Sequence, residues 1–575
     1  MKPSMILANE TFRLKLMYNA ESPAPLGDLV CAKYDSAAFQ IILNSPNKYS
    51  VTSGLHDWYS ARNHMFRTHH RLRVDVECPF ETEINIEDFV TDDDNTSKAD
   101  VLLTTEVRES DANVPSAVWV QINVPKDAVA GTYPVKINLY NSTYNTDEEL
   151  IESADAVLKV FDYTLPDYKD FKFHLDLWQH NSNIARKFEV GLFSYEHFTI
   201  IEKFAKSLAE LGQKSITVCA SEIPWVGQEC YKDHKYGGNL FEYSMIGIER
   251  DESGKLVYDY SKMQRYIDIC TAAGISEDIE IIGLVNIWCK TDLGINILCN
   301  DYVEPIRLRY YDRNTKTLKY VRSADEIRDY IKSLETYFIE TNQIDRVRIG
   351  ADEPGDIEKY RRSISEIQTL APSFRFKTAI NHASFIGEFS KEIDDYSPYL
   401  KCVFNEYNKL VEYQNTLEGK KFLWYVCCGN TRPNTFLRSN LTDSRFIGIL
   451  TDYLKFDGFL RWNYTVWPKD PRHDIRYGVF EAGDTNFVYP SNNGSVLLSL
   501  RYKNLQRGIC DFEIIKAARE KHGNEVVDKL IKKVIFTSST EEYCTLGLDV
   551  KNRIFSDNFD DFNSLKEELL SLLSE

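Results

Sequence analysis

Two adjacent carboxylates, Asp352 and Glu353, close the apolar run in "DRVRIGADEPGDIEKY", and Pro354 follows them. In a chain with 87 Asp and Glu an acidic dipeptide is ordinarily a solvated turn, so context has to decide. Neighbouring side chains on a strand face opposite ways, and these two converge only where the strand ends and twists into its loop. Pro354 disfavours the right-handed helical region for Glu353 and is expected to keep it extended. Two carboxylates forced together do not both ionise cheaply, so one pKa is expected to rise. One anion beside one acid is the division of labour that glycosidic bond cleavage uses.

Further unusual residues fall at the ends of other apolar runs: Trp178 and His180; Glu222 and Trp225; Asn286 and Trp288; Asn381 and His382; Asn405, Glu406 and Tyr407; Trp424, Tyr425 and Asn430; Arg461, Trp462 and Asn463. Amides and acids grip hydroxyls and indoles stack on ring faces, so together they suit a pocket for a polyhydroxylated ligand. Each one taken singly is as readily a packing or capping residue. His69-His70 and His180 have no ligand partners at metal-binding spacing, and no G-x-G-x-x-G or phosphate-loop pattern follows the first strand of the α/β region. No metal and no cofactor are expected.

These residues need a scaffold that brings strand ends together. Residues 1–166 read as all-β, with runs such as "FQIILN", "AVWVQINVP" and "GTYPVKINLYN" separated by Gly, Pro, Asn and Asp at the spacing of a β-sandwich. From Phe171 strands alternate with helices, as in "SITVCAS" after "EHFTIIEKFAKSLAELG". Eight such strands predict a (β/α)8 TIM-like barrel over 167–522, with "LKCVFNEY" as the sixth. Residues 523–575 read as a short helical extension on the outside. The expected whole is a multidomain α/β plus all-β protein whose site lies at the carboxyl ends of the barrel strands.

Bulk properties exclude several classes. The 575 residues are 43% hydrophobic and 13% aromatic, enough for large cores. A net charge of −19 argues against a nucleic-acid partner and against anionic membrane surfaces. No window approaches the roughly 20 apolar residues of a membrane span. "MKPSMILANETFRLKLMYNA" lacks an apolar secretory core, and the 12 Cys are scattered without C-x-x-C pairs. A cytoplasmic location with reduced thiols is therefore expected. The oligomeric state is not legible.

"FHLDLWQH", "LAELGQKSITVCASEIPWVGQ" and "GADEP", with the later "LRWNYTVWPKDPR", "GDTNFVYPS" and "LLSLRYKNLQRGICDFE", resemble glycoside hydrolase family 123 and its relatives over about Phe171 to Glu513. The resemblance implies an N-acetyl-β-galactosaminidase-like retaining enzyme acting on an oligosaccharide or glycoconjugate. It implies that Glu353 is the general acid, that the substrate's own 2-acetamido carbonyl is the nucleophile, and that Asp352 orients the acetamido N–H. From their positions, Tyr425 would bond the acetamido carbonyl, and Trp178, Trp288 and Trp462 would form the sugar platform. Asn286, Asn381 and Asn463 would hold hydroxyls, with His180, Trp225 and Asn405 also lining the pocket. Two alternatives stay open: a plain glycosidase with Glu406 or Glu222 as nucleophile, and a non-catalytic carbohydrate binder.

Overall fold

The computed structural model describes residues 2–16, 22–54, 69–104, 107–225, 240–289, 291, 294–429, 431–478 and 480–575. Two six-stranded, mostly antiparallel sheets fill the N-terminal part. One includes Ser4–Asn9, Ser36–Asn44, Glu81–Thr91, Ser97–Leu103 and Ser116–Asn123. The other includes Leu29–Lys33, His70–Glu77, Gly131–Thr143 and Glu149–Thr164. Alternate residues of both sheets, among them Phe39, Ile41, Val118, Val74, Ile137 and Leu158, meet in one apolar core, as period-2 patterning dictates. His69 is buried and His70 half-buried, the in-and-out placement of a strand.

The second half is a nearly closed barrel of eight parallel strands. They are β1 (His174–Leu177), β2 (Ser215–Cys219), β3 (Asp278–Ile282), β4 (Val347–Asp352), β5 (Arg375–Ile380), β6 (Ile393–Pro398), β7 (Lys421–Tyr425) and β8 (Gly458–Arg461). Each strand pairs in parallel with its neighbour except at β1 and β2, which share one isolated bridge, Leu175 to Gln213. Side chains complete that seam. Gln213 accepts from the Leu177 N–H at 2.8 Å and donates to the Ser215 carbonyl at 2.7 Å, while the Thr217 N–H donates to Gln179 Oε1 at 2.8 Å. Buried backbone groups must find partners, and two glutamines supply them where the ladder is open.

The helices between the strands follow their local signals. Ser194 caps α2 (Tyr195–Glu210), whose buried Phe198, Ile201, Phe204, Ala205 and Leu208 recur at helical spacing. Ser323 caps α4 (Ala324–Glu340) and Asp356 caps α5 (Ile357–Leu370); α3 (Ser261–Ala273) ends at Gly274, whose φ of +108° suits glycine. "LKCVFNEY" departs from the expected reading. It opens a helix, Leu400–Thr416, and the sixth strand is "IDDYSP" just before it. β-branched and aromatic residues in a short run fit either element, and the polar sequence "DDYS" conceals a strand whose alternate carboxylate, Asp395, points into an ionic barrel interior. Four short strands, Gly247–Arg250, Leu256–Asp259, Arg309–Asp312 and Thr317–Tyr320, form an unexpected extra sheet from the segments between β2 and α4.

Helix Leu500–His522 is buried on nearly every side, and its charges join the two halves. Arg501 Nε lies 2.9 Å from Asp100 of the N-terminal sheet, which also accepts from Tyr489 at 2.6 Å and pairs with Arg13 at 3.3 Å. Glu10 bridges Arg507 at 3.2 Å and Arg445 at 3.0 Å; Asp35 holds Lys566 at 2.7 Å. The helix Phe559–Ser574 consequently packs back on the N-terminal strands, beyond the simple outer cover expected. Removing one partner of a buried pair leaves an uncompensated charge. Asp100→Asn is expected to lower stability by about 3–5 kcal/mol, read as a fall in the urea midpoint; an unchanged midpoint would show that the joint does not depend on it.

Candidate active site

Asp352 is the last residue of β4, and Glu353 follows it; both are half-buried. Glu353 is not extended. Its φ is +44°, in the left-handed region, while its N–H still donates to the Ala379 carbonyl of β5 at 3.1 Å. Pro354 excludes the right-handed helix for its predecessor, and the turn takes the left-handed alternative. That turn carries the two acids to different partners. The Trp288 indole donates to Asp352 Oδ2 at 2.8 Å, and the Asn286 amide donates to the Asp352 carbonyl. The Tyr425 hydroxyl donates to Glu353 Oε1 and lies 3.3 Å from Asn381 Oδ1. Burial, and next the Glu353 carboxylate, raise the Tyr425 pKa well above its ordinary value, with Asp352 adding to the effect. Tyr425 therefore stays a donor, and both acids act on one hydroxyl.

The indoles gather around this pair. Trp178, Trp225, Trp462 and Tyr425 share one apolar cluster with Leu423, Leu460, Tyr477 and Phe480, and Trp288, Tyr399 and Cys427 pack against it. Trp178 and Trp225 rings lie 6.0 Å apart, and Trp462 and Phe480 5.1 Å. Beneath them the barrel interior is ionic: Lys377 bonds Asp176 and lies 3.3 Å from Glu280, which accepts the Trp178 N–H at 3.1 Å. Burial drives Glu280 upward, whereas Lys377 is held up by Asp176 and Glu280 against its own burial.

Other expected residues take other places. His180 is buried, packs with its ring tilted 4.9 Å from that of Trp225 and contacts the Trp462 carbonyl through Nε2 at 3.0 Å. Burial lowers its pKa to about 4, so it braces the Trp225 indole and the Trp462 backbone as a neutral ring. Asn463 is buried and accepts from the Val466 N–H at 3.0 Å. Asn405 is exposed on the helix Leu400–Thr416, away from any strand end. Its neighbour Glu406 faces His382 at 3.3 Å and Lys409 at 3.2 Å, and Tyr407 is buried. Glu222 is tied to Arg309 at 2.6 Å and to the Tyr320 hydroxyl at 2.7 Å. Trp424 is core, bonded to Thr451 at 2.8 Å. Asn430 lies outside the described residues.

Sequence reading missed Asp484 and Tyr399. Asp484 is buried, accepts the Trp462 indole N–H at 3.1 Å, and is pushed up by burial to about 6. Its motif, Gly483-Asp484, was visible without a strand to place it. Tyr399 packs 5.3 Å from Tyr425, at the end of the strand hidden in "IDDYSP". Among the described residues one group has metal-ligand geometry, His174, Glu277 and Asp278, at the opposite end of the barrel. Lys421 Nζ sits 2.6 Å from Glu277 and 3.3 Å from Asp278, so a lysine already supplies the positive charge there.

A parallel barrel with paired carboxylates and indoles at its carboxyl-end mouth is the arrangement of a carbohydrate-active enzyme. The family model of the glycoside hydrolase 123 catalytic domain matches residues 178–518, and the chain belongs to glycoside hydrolase family 123. A family 123 glycoside hydrolase from Clostridium perfringens superposes with a TM-score of 0.72 at 16% identity, over 100% of this chain and 97% of that one. A β-D-glucuronidase from Dictyoglomus thermophilum aligns with a TM-score of 0.31 at 10% identity, over 88% and 97% of the two chains. No curated protein matches the sequence. No helix among the described residues is long and apolar enough to cross a membrane.

The dyad's strand tolerates no extra atom one turn below it. A Cβ on Gly350 would lie 2.7 Å from Glu280 Oε1 and 3.1 Å from Ile282 Cγ2. Gly350→Ala is expected to destabilise by about 1–3 kcal/mol and to displace Glu280 from the Trp178 indole, read as a lower melting temperature with a shifted tryptophan emission maximum. An unaltered emission would contradict this coupling.

Proposed function

We propose that the chain is a retaining glycoside hydrolase of β-linked 2-acetamido-2-deoxy sugars, acting through an oxazolinium intermediate. The observation that carries this reading is the split partnership of the dyad: Trp288 and Asn286 hold Asp352, and Tyr425 holds Glu353. Two neighbouring acids fixed to separate partners suit two tasks on one sugar. The other carboxylates weighed as nucleophiles favour the same reading, because Glu222 is held by Arg309 and Tyr320 and Glu406 by His382 and Lys409.

In the proposed reaction Glu353 protonates the glycosidic oxygen as its bond to the anomeric carbon breaks. The substrate's acetamido oxygen attacks that carbon from the opposite face, closing a five-membered ring. Asp352 accepts the acetamido N–H and offsets the positive charge that develops there. An internal nucleophile held in place has a very large effective concentration, and the enzyme's contribution is to hold it. Water then attacks the same carbon, Glu353 takes its proton, and the ring opens with net retention. Trp288, half-buried, fixes the Asp352 carboxylate for this task, while Trp178 and Trp462, expected as sugar platforms, are buried and brace the wall from behind. The Clostridium perfringens relative is associated with glycolipid glycan hydrolysis, which makes the glycan of a glycoconjugate our substrate class.

Purified protein should release nitrophenol from an aryl N-acetyl-β-galactosaminide or glucosaminide, with inhibition by the thiazoline analogue of the oxazoline. Glu353→Ala should lose about 10²–10⁴-fold in kcat on poor leaving groups and far less on good ones. Asp352→Ala should lose activity on both. Turnover of plain hexosides, with none on any N-acetylhexosaminide, would replace this reading with a separate nucleophile.

Tyr425→Phe removes the donor to Glu353. A hydrogen bond to a charged group contributes about 1.5–3 kcal/mol, so kcat/KM should fall about 10- to 100-fold. An unchanged kcat/KM would remove Tyr425 from the account.

A further inference from the structure

Two thiols that the glycosidase reading does not use stand beside the dyad. Cys427 and Cys428 follow β7 directly, two and three residues beyond Tyr425, the hydroxyl of which holds Glu353. Cys427 is half-buried against the cluster of Trp178, Trp462 and Tyr425. Cys428 is the one exposed cysteine among the described residues. Their Sγ atoms are 3.8 Å apart. Glu353 and Asp484 act electrostatically on both thiols, which places the pair within reach of those two carboxylates.

The spacing decides between two chemistries. A disulfide needs sulfurs about 2.05 Å apart, so the side chains would have to close nearly half their separation around a ring containing their shared peptide. A single thiophilic centre bonded to two thiolates at about 2.3 Å holds the sulfurs roughly 3.3 Å apart at the narrow angle of a pyramidal trivalent centre and roughly 3.8 Å apart at the tetrahedral angle. The wider span is already present. Zinc asks for further protein ligands, and the one described cluster of three ligand groups is at the far end of the barrel. A centre satisfied by two thiolates fits the pair better, and trivalent arsenic with one organic substituent is such a centre.

We propose that Cys427 and Cys428 form a dithiol modification site for monosubstituted trivalent arsenic, and that a group seated there closes the adjoining sugar pocket. The Cys427 thiol holds Cys428 below its ordinary pKa, whereas Cys427 itself is held up. The exposed member therefore attacks first and the inner one completes the chelate. With an organoarsenic oxide two As–S bonds form, the As–O bonds break, and the oxygen leaves as water with both thiol protons. No electron changes hands.

The test adds phenylarsine oxide to the full chain at one equivalent. Intact mass should show a single adduct, titration should show two thiols lost, and hydrolysis should fall more than tenfold. Dithiothreitol should reverse all three, whereas a monothiol at equal thiol concentration should not. Cys428→Ser should keep its basal turnover and remain active with the reagent present. An adduct that survives in Cys428→Ser, one that a monothiol strips from the natural chain, or a modified chain with full turnover would each overturn the proposal. Mass and thiol counts read the site with no substrate, so a failed hexosaminidase reading would not be mistaken for a failed dithiol site; turnover would then be followed on whichever glycoside the chain cleaves.

Discussion

Two acids on consecutive residues can serve one sugar only if the backbone turns between them, and the turn at Glu353 sets the rest of the site. Its φ of +44° belongs to a series: Trp225 at +52° and Asn286 at +51° lie at or beyond the ends of β2 and β3, as Glu353 does beyond β4. A non-glycine residue in the left-handed region costs of order 1–3 kcal/mol and persists only where its surroundings over-determine it. Here they do. The Glu353 N–H is held by Ala379, and Asn286 bonds the carbonyl just before the turn. Three neighbouring strand ends thus bend into the same mouth, and the strain falls on residues that line it.

The C-terminal motifs that carry much of the family resemblance have a different office. In "SLRYKNLQRGICDFE" the arginines bond Asp100 and Glu10, and Asp511 pairs with Arg445 at 2.7 Å. Glu513 accepts the Phe173 N–H at 2.8 Å, on the approach to β1. These residues weld the barrel to the paired sheets. "RWNY" likewise serves support: the Arg461 guanidinium donates to the carbonyls of Gly483 and Asp484, fixing the carboxylate beside Trp462. A motif can be specific to a family because the joint it makes is specific, without any of its side chains reaching the substrate.

Much of the scaffold was legible because its signals are local. Capped amphipathic helices and short apolar strands announced the barrel, and alternation announced the paired sheets. The sixth strand was not legible, since in "IDDYSP" the inward carboxylate Asp395 sits 3.4 Å from Arg348 and only a partner far along the chain makes it tolerable. That slip put Asn405 at a strand end it does not occupy and hid Tyr399. The same limit governs the site. Asp352, Glu353, Trp288 and Tyr425, which the structure brings into contact, stand out in the sequence because strand ends are the place to look. The burial of His180 depends on the Trp462 carbonyl 282 residues away, and the approach of Asp484 to Trp462, 22 residues apart, is made by a loop that carries no periodic signal.

The hydroxyl of Tyr425 has two claims on it, and they resolve into a sequence of events. In the structure it donates to Glu353; in the proposed reaction it would donate to the acetamido carbonyl, while Glu353 turns to the glycosidic oxygen. One O–H does not donate to both at full strength. Without substrate, the hydroxyl is engaged on the same carboxyl that must face the glycosidic oxygen. In that reaction, arrival of the acetamido group would draw the hydroxyl away and free the Glu353 carboxyl to face the glycosidic oxygen. A sugar lacking the acetamido group would leave the bond in place and Glu353 turned toward Tyr425 instead of the glycosidic oxygen. On this account selectivity for 2-acetamido sugars comes from the exchange of one hydrogen bond as well as from the nucleophile the substrate brings.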